Sequence, residues 1–191
     1  MSQANEILEF WFGKPDEADY GKPRKVWFTK NPEFDQDVRS RFLNDYQQAA
    51  AGKLDDWNAS PLSCLALIIL LDQFPRNMFR GQPQAFATDP QALCYAQHAV
   101  AQGFDKELLP VQRWFIYLPF EHSENLAHQR RCIELYQQHS DDPDMSNAIV
   151  YPIKHLEIIE RFGRFPHRNT ILGRETTPEE AEFLKQPGSS F

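Results

Sequence analysis

The fold is decided by residues 151–174, YPIKHLEIIERFGRFPHRNTILGR. This stretch and the residues just before it carry apolar side chains at helical spacing: Ile149, Ile153, Leu156, Ile159 and Phe162. Gly163 accepts the left-handed conformation that closes a helix, and Pro166 cannot continue the hydrogen-bond ladder. The stretch therefore predicts a helix with one apolar face that ends at this glycine.

The loop after this helix is rich in cations, although the chain as a whole is acidic. The basic side chains crowded there are Arg161, Arg164, His167, Arg168 and Arg174. Like charges this close repel each other unless carboxylates or an anionic ligand neutralise them. Guanidinium groups bind carboxylate or phosphate through two parallel hydrogen bonds, which favours an anion site. The alternative is a network of internal ion pairs, with Asp72, Glu121, Glu124, Glu157 and Glu160 as the carboxylates.

Outward from this stretch, capping residues and prolines divide the chain into further helices. Asn31-Pro32, Ser60-Pro61 and Asp89-Pro90 each place a capping side chain before a proline, the pattern of a helix start. We expect helices over residues 5–12, 32–51, 61–74, 89–102, 110–118, 121–139 and 178–184. No segment alternates apolar and polar residues at length, so no strand is predicted. Short loops between such helices predict an all-α fold of stacked antiparallel helix pairs.

Length and charge limit the possible organisation and partners. The chain has 191 residues and a formal net charge of −7, which predicts one helical domain, residues 1–191, with a loose tail from about residue 185. The acidic balance disfavours nucleic acid and anionic membranes as partners, because both would repel it. The three cysteines form no CxxC motif, and the N-terminus does not resemble a secretory signal. We therefore expect a cytoplasmic protein with reduced thiols.

The run Glu121-His122-Ser123-Glu124 holds the best candidates for acid–base chemistry. A histidine beside carboxylates can act as a general base, and a serine can act as a nucleophile. Pro119 before this run predicts a helix start, with the glutamates in the first turn. Adjacent helical residues point in different directions, so Glu121 and His122 are not expected to face the same substrate atom.

Metal and cofactor motifs are missing from the sequence. The best candidate metal ligands, His122, His155, His167 and Glu121, form neither an HxxxH nor an HExxH pattern, so no metal is predicted. His128 and Cys132 are four residues apart, but two ligands are weak evidence. The chain has no GxGxxG, no phosphate-binding loop and no GxSxG elbow. We therefore predict no organic cofactor.

One short motif occurs twice. Phe74-Pro75-Arg76-Asn77 is followed by Arg80-Gly81, and Phe165-Pro166-His167-Arg168-Asn169 is followed by Gly173-Arg174. Both copies lie just past an apolar helix. The repetition has two interpretations, namely chance or stacked helical hairpins that need the same loop to close their ends.

Three segments together resemble an uncharacterised bacterial family, domain of unknown function 924: LDQFPRNMFRG, YLPFEHSEN and ERFGRFPHRNTILGR. The resemblance covers nearly the whole chain. It implies a fold similar to tetratricopeptide repeats, in which antiparallel helix pairs stack into a right-handed curved array, and it brings no established activity. The recurring polar positions that it implies are Asp72, Arg76, Asn77, Arg80, Glu121, His122, Ser123, Glu124, His155, Arg161, Arg164, His167, Arg168 and Asn169.

Three functional hypotheses follow. The first is a binding module for a small anionic molecule or an acidic peptide, with the ligand held by Arg76, Asn77, Arg80, Arg161, Arg164, His167, Arg168 and Asn169. The second is a cofactor-free enzyme whose acid–base residues are Glu121, His122 and His155. The third is a structural or interaction protein in which the polar loops serve stability alone. Exposed aromatic residues left over from the core would allow a homodimer.

Overall fold

The computed structural model describes residues 3–190, and within this range the chain forms helices and no strand. The predicted all-α fold is thereby confirmed. The helices are α1 (Gln3–Phe12), α2 (Pro32–Ala50), α3 (Pro61–Met78), α4 (Asp89–Gln102), α5 (Pro110–Glu121), α6 (Leu126–Gln137), α7 (Pro143–Ala148), α8 (Val150–Phe162) and α9 (Pro178–Phe183). Each helix from α2 to α6 packs on the next one in the chain. The tetratricopeptide-like curvature stays a prediction.

Helix α3 lies at the centre of the core, in contact with α1, α2, α4 and α5. Its side chains from Cys64 to Phe74 are almost fully buried, as its apolar composition predicts. Phe74 packs against Phe42 at 4.9 Å and Trp11 at 5.5 Å between ring centroids. Within the described range, no helix has both the length and the apolar character needed to span a membrane.

The helix around residues 151–162 ends as the sequence predicts. Gly163 has a φ of 67° and closes α8, and its amide donates to the carbonyl of Ile159 at 2.9 Å. Pro166–Arg168 then forms a short 3-10 turn that carries the cationic loop back towards α4.

Two predicted helix ends are wrong, and both involve proline. Pro75 lies inside α3, which continues to Met78, and Pro119 lies inside α5, which continues to Glu121. Each proline forgoes one backbone hydrogen bond near a helix end, and the burial of the surrounding apolar residues outweighs that loss. Glu121 therefore lies in the last turn of α5 rather than in the first turn of the next helix.

The predicted helix 121–139 is consequently shorter. It begins at Leu126, where the side chain of Asn125 accepts a hydrogen bond from the Ala127 amide at 2.8 Å. The predicted acidic loop after it contains a short helix, α7. Asp142 caps α7 through the Asp144 amide at 2.9 Å, so these acidic residues act as helix-start signals.

Glu180 ties the C-terminal segment to the rest of the fold. Its carboxylate accepts two hydrogen bonds from Arg164, at 2.6 and 2.8 Å, and one from Asn169 at 3.2 Å. It also accepts one from the Thr177 amide at 2.8 Å, which completes the capping box of α9. Further along, the Ser189 hydroxyl donates to the Leu184 carbonyl at 3.2 Å.

We expect Glu180→Ala to release the segment from residue 175 onward, because three separate donors lose their shared acceptor. Amide hydrogen exchange should become faster in this segment while the exchange of α3 stays unchanged. The matched control is Glu182→Ala, since Glu182 pairs only with exposed Lys185. Equal exchange in the two variants would contradict this role of Glu180.

Candidate functional site

A surface cleft of about 420 Å³ lies where the start of α4, the end of α5 and the loop after α8 meet. Its apolar walls are formed by Pro83, Phe86, Pro90, Leu93, Pro119 and Leu172. Its polar lining consists of Asp89, His122, Ser123 and Arg168. Ligand sites commonly combine apolar walls with a few convergent polar groups, and this volume suits a small molecule.

Asp89 joins two arginines that come from the two copies of the repeated motif. Arg76 forms a two-pronged contact with it, from Nη1 to Oδ1 at 2.8 Å and from Nη2 to Oδ2 at 3.1 Å. Arg168 reaches the same Oδ2 through Nη1 at 3.4 Å, a much longer contact. One carboxylate thus serves two guanidinium groups, and it serves them unequally.

The guanidinium of Arg168 is buried but poorly supplied with acceptors. It lies between the rings of Phe86 and Phe165, at 4.7 and 4.6 Å from their centroids. Its Nε is buried and has no hydrogen-bond partner within residues 3–190. Burial, together with the neighbouring charge of Arg76, lowers the pKa of Arg168 to about 10. This cation, whose residue lines the cleft, therefore has a donor that no protein acceptor fills.

Behind the cleft, His122 is held by the fully buried Asp72. His122 Nδ1 lies 2.7 Å from Asp72 Oδ1, and Gln73 Nε2 donates to Asp72 Oδ2 at 2.6 Å. Burial alone would raise the pKa of Asp72, but the charge of Arg76 and the hydrogen bonds from His122 and Gln73 hold it well below its usual range. Because the ionised carboxylate only accepts, Nδ1 carries a proton.

His122 lies between the buried Asp72 and the cleft. His122 caps α5 and lines the cleft, while its Nδ1 edge faces buried Asp72. Burial and the Arg76 charge lower the pKa of His122, so the ring is neutral near pH 7. The lone pair is then on Nε2, the ring nitrogen that does not contact Asp72.

Glu121 and His155 form a second pair that is buried and does not line the cleft. His155 Nδ1 lies 3.0 Å from Glu121 Oε1 and 2.9 Å from the Tyr151 carbonyl. Since that carbonyl only accepts, Nδ1 is protonated. Burial and the nearby Asp72 raise the pKa of Glu121 to about 8, and burial lowers the pKa of His155 to about 3. Both side chains are therefore neutral at pH 7.

This geometry separates the three predicted catalytic residues. The rings of His122 and His155 are 6.4 Å apart, and of these three residues only His122 lines the cleft. The expectation that Glu121 and His122 face different ways agrees with their positions, since Glu121 contacts His155 in the interior. The carboxylate that orients His122 is Asp72, fifty residues earlier in the chain.

Most of the predicted ligand-binding residues lie away from the cleft. Asn77 and Arg80 both donate to Asp35, at 2.7 and 2.8 Å. Arg161 pairs with Glu179 at 2.9 Å. The remaining residues of this set outside the cleft are Arg164 and Asn169, which meet at Glu180, and His167, whose ring lies 5.7 Å from that of Phe165.

Arg174 likewise has an internal partner. It forms a two-pronged contact with Glu124, at 2.7 and 3.0 Å, and Glu124 also accepts from the Phe165 amide at 2.7 Å. For these loop arginines the geometry matches the internal ion-pair interpretation, but within residues 3–190 only Glu124 of the predicted carboxylates is a partner, and Glu179 and Glu180 pair with Arg161 and Arg164. Of the predicted binding residues, Arg168 lines the cleft, and Arg76 contacts Asp89, which also lines it.

The sequence analysis missed Asp89 and Phe86 as site residues. Asp89 was interpreted only as a helix start, and it is in fact both the first residue of α4 and the acceptor for two arginines. The repeated Phe-Pro motif was the available signal, because its two arginines converge on this carboxylate.

Ser123 and His128 form a further contact at the cleft rim. Ser123 Oγ lies 2.9 Å from His128 Nδ1 and also accepts from the Asn125 amide at 3.3 Å. Cys132, four residues beyond His128, contacts the Tyr117 carbonyl through its thiol at 3.7 Å instead of pairing with that histidine. Among residues 3–190, no three His, Cys, Asp or Glu side chains converge as metal ligands would.

Fold and site together define an all-helical protein with a carboxylate-held histidine and a stacked arginine at an apolar cleft. The chain belongs to the family described as bacterial protein of unknown function (DUF924), whose model matches residues 7–188. It is similar to a solved protein of unknown function, ATU0120 from Agrobacterium tumefaciens, at 42% identity and a TM-score of 0.82. That alignment covers 95% of this chain and 96% of the other. No curated protein matches the chain.

Proposed function

We propose that this protein binds a small organic oxyanion, a carboxylate or a phosphate monoester with an apolar body, in the cleft beside Arg168. The observation that carries the proposal is the state of that guanidinium: it is buried, stacked and short of acceptors. A buried cation with unfilled donors gains more from an incoming oxyanion than an exposed arginine would.

The contacts of Arg168 favour an oxyanion over a neutral ligand. Its one hydrogen bond to Asp89 is 3.4 Å long, whereas Arg76 holds the same carboxylate at 2.8 Å. A ligand that binds Arg168 therefore sacrifices little, because Arg76 continues to neutralise Asp89. The aromatic faces fix the plane of the guanidinium, which suits two-pronged recognition.

The cleft walls restrict the rest of the ligand. Most of the lining is proline, leucine and phenylalanine, which favours an apolar or aromatic body next to the charged group. The volume of about 420 Å³ favours a small molecule over a folded partner. The site requires neither a metal ion nor an organic cofactor to bind such a ligand.

We further propose that the protein acts in the cytoplasm. Cys64, Cys94 and Cys132 are all free thiols, and Cys94 is exposed. An exposed free thiol suits a reducing compartment.

Removing the guanidinium should weaken oxyanion binding selectively. We expect benzoate and phenylphosphate to raise the melting temperature of the wild type, and neutral benzamide to leave it unchanged. In Arg168→Met the affinity should fall roughly 10–100-fold, because a hydrogen bond to a charged group contributes about 1.5–3 kcal/mol. Titration calorimetry with benzoate measures the change. Methionine fits between the two aromatic rings, so folding should be retained.

The matched control is Arg130→Met, which removes an exposed arginine paired with Glu160 on the surface. Its benzoate affinity should equal that of the wild type. Binding of benzamide as tight as that of benzoate, or an Arg168→Met variant that binds benzoate normally, contradicts the proposal.

A further inference from the structure

We propose that the cleft is catalytic, and that His122 acts there as a general base to hydrolyse a carbonyl ester of the small carboxylate held by Arg168. This inference rests on the proposed function, because it takes the oxyanion on Arg168 as the anchor of the substrate. It adds a reaction, a nucleophile and a substrate class, namely a carboxylic acid that carries an ester on its apolar body.

Asp72 holds the imidazole ring of His122 in one orientation. Asp72 is fully buried and accepts from Nδ1 at 2.7 Å, which fixes both the tautomer and the ring plane. Gln73 and Arg76 fix the carboxylate in turn, at 2.6 and 3.6 Å. His122 and Arg168 both line the cleft. A base held by a carboxylate and turned towards a cavity is the arrangement that acid–base catalysis requires.

The two histidine–carboxyl pairs differ in their access to the cleft, because His122 lines it and His155 does not. His155 Nδ1 lies 3.0 Å from a carboxyl oxygen, against 2.7 Å for His122 Nδ1, but His155 is buried and its Nδ1 donates to the Tyr151 carbonyl. This buried position beside Glu121 gives His155 a structural role. His122 is the histidine of the two that combines a carboxylate partner with access to the cleft.

A neutral imidazole can catalyse ester hydrolysis as a general base without a cofactor. His122 Nε2 takes a proton from a water molecule while the water oxygen forms a bond to the ester carbonyl carbon. The tetrahedral intermediate collapses, the bond to the alkoxide oxygen breaks, and His122 returns the proton to the leaving alcohol. Water is the co-reactant, the products are an acid and an alcohol, and no electron transfer takes place.

The role of Arg168 is to anchor the substrate. Arg168 binds the carboxylate of the substrate and so holds the ester at a fixed distance from the base. Apolar residues form most of the cleft wall around the anchored group. Arg168 is thus the source of specificity, and Asp72 is a positioning residue that acts through His122.

The test uses the full chain and 4-nitrophenyl hydrogen glutarate, an ester with one free carboxylate. The uncharged comparison substrate is 4-nitrophenyl pentanoate. We expect the wild type to hydrolyse the charged ester preferentially and Arg168→Met to lose that preference through a higher KM. His122→Asn should lower kcat about 100-fold or more. Its amide nitrogen takes the place of Nδ1 towards Asp72, so benzoate binding and the melting temperature should persist.

His98→Asn is the matched control. His98 lies on α4, contacts the Asn58 carbonyl and does not line the cleft. Its kcat should equal that of the wild type. The rising acid limb of kcat/KM in the wild type, which reports the free enzyme, should lie below pH 6.5, since the pKa of His122 is below its ordinary value.

Four outcomes overturn the inference. Unchanged kcat in His122→Asn excludes this base. Benzoate binding without turnover of the charged ester removes the reaction and leaves the proposed function standing. Absence of any oxyanion binding removes the proposed function and this inference together. A covalent acyl adduct on Ser123 in intact-mass spectra would replace water by that hydroxyl, whose Oγ lies 2.9 Å from His128.

Discussion

Asp72→Ala is expected to lower the free energy of unfolding by about 3–5 kcal/mol, the usual effect of removing one partner from a buried charge pair. The carboxylate is fully buried and is surrounded by His122 at 2.7 Å, Gln73 at 2.6 Å and Arg76 at 3.6 Å. Alanine removes the acceptor from two donors, His122 and Gln73, and the opposite charge from Arg76, in a site without solvent to replace them. Urea denaturation followed by circular dichroism measures the change.

Two comparisons sharpen this prediction. Asp72→Asn keeps an oxygen that can accept from His122 Nδ1, so its loss of stability should be smaller than that of Asp72→Ala. Asp37→Ala removes an exposed carboxylate on α2 and should change the free energy of unfolding by less than about 0.5 kcal/mol. If Asp72→Ala were as stable as Asp37→Ala, the carboxylate would not be the centre of the polar network.

Glu121→Gln is expected to make the protein more stable relative to the wild type as the pH rises from about 5 to 8. The pKa of Glu121 is about 8 in the fold, above its ordinary value of 4.5, because of burial and the neighbouring Asp72. Between these two values the unfolded chain loses the proton and the folded chain retains it. The wild type therefore loses stability as the pH increases, by at most about 1.4 kcal/mol per pH unit from this group.

Glutamine cannot ionise, so the variant lacks this loss. The quantity to measure is the free energy of unfolding of Glu121→Gln minus that of the wild type, at several pH values from 5 to 9. It should increase up to about pH 8, the folded-state pKa, and then become constant. Glu157→Gln, an exposed residue on α8, provides the comparison and should give a small difference without this slope. A flat difference for Glu121→Gln would show that the carboxyl group is ionised in the fold.

The helix boundaries that the sequence predicts correctly are those set by local chemistry. Asn31 accepts from two amides at the start of α2, and Gly163 has the positive φ that closes α8. These interactions involve residues within a few positions of each other, so their signals are visible in the sequence. The prolines at 75 and 119 misled the prediction because long-range packing on α3 and α5 decides those two helix ends.

The composition of the candidate site was partly predictable, and its pairing was not. Arg76, Arg168 and His122 stand out by residue type, and the fold brings all three to one region. Their partners are far apart in sequence: Asp89 is 79 residues from Arg168, and Asp72 is 50 residues from His122. Ion pairs over such separations depend on how helices pack, which a single sequence does not specify.

The same limit applies to the cationic loop. Its four arginines lie close together in sequence, yet they pair with different carboxylates: Arg161 with Glu179, Arg164 with Glu180, Arg174 with Glu124 and Arg168 with Asp89. Local charge density indicated that anionic partners were needed. It could not indicate that Arg168 would share its carboxylate with Arg76 and retain unfilled donors.

The central claim is that the guanidinium of Arg168 receives an oxyanion in the cleft. A crystal structure of the full chain with 4-bromobenzoate tests it most directly, because anomalous scattering from bromine locates the ligand without ambiguity. The account predicts a bromine peak between the apolar walls, with the carboxylate oxygens about 2.7–3.1 Å from Arg168 nitrogens. A peak elsewhere, or an empty cleft with Arg168 still on Asp89, would contradict it.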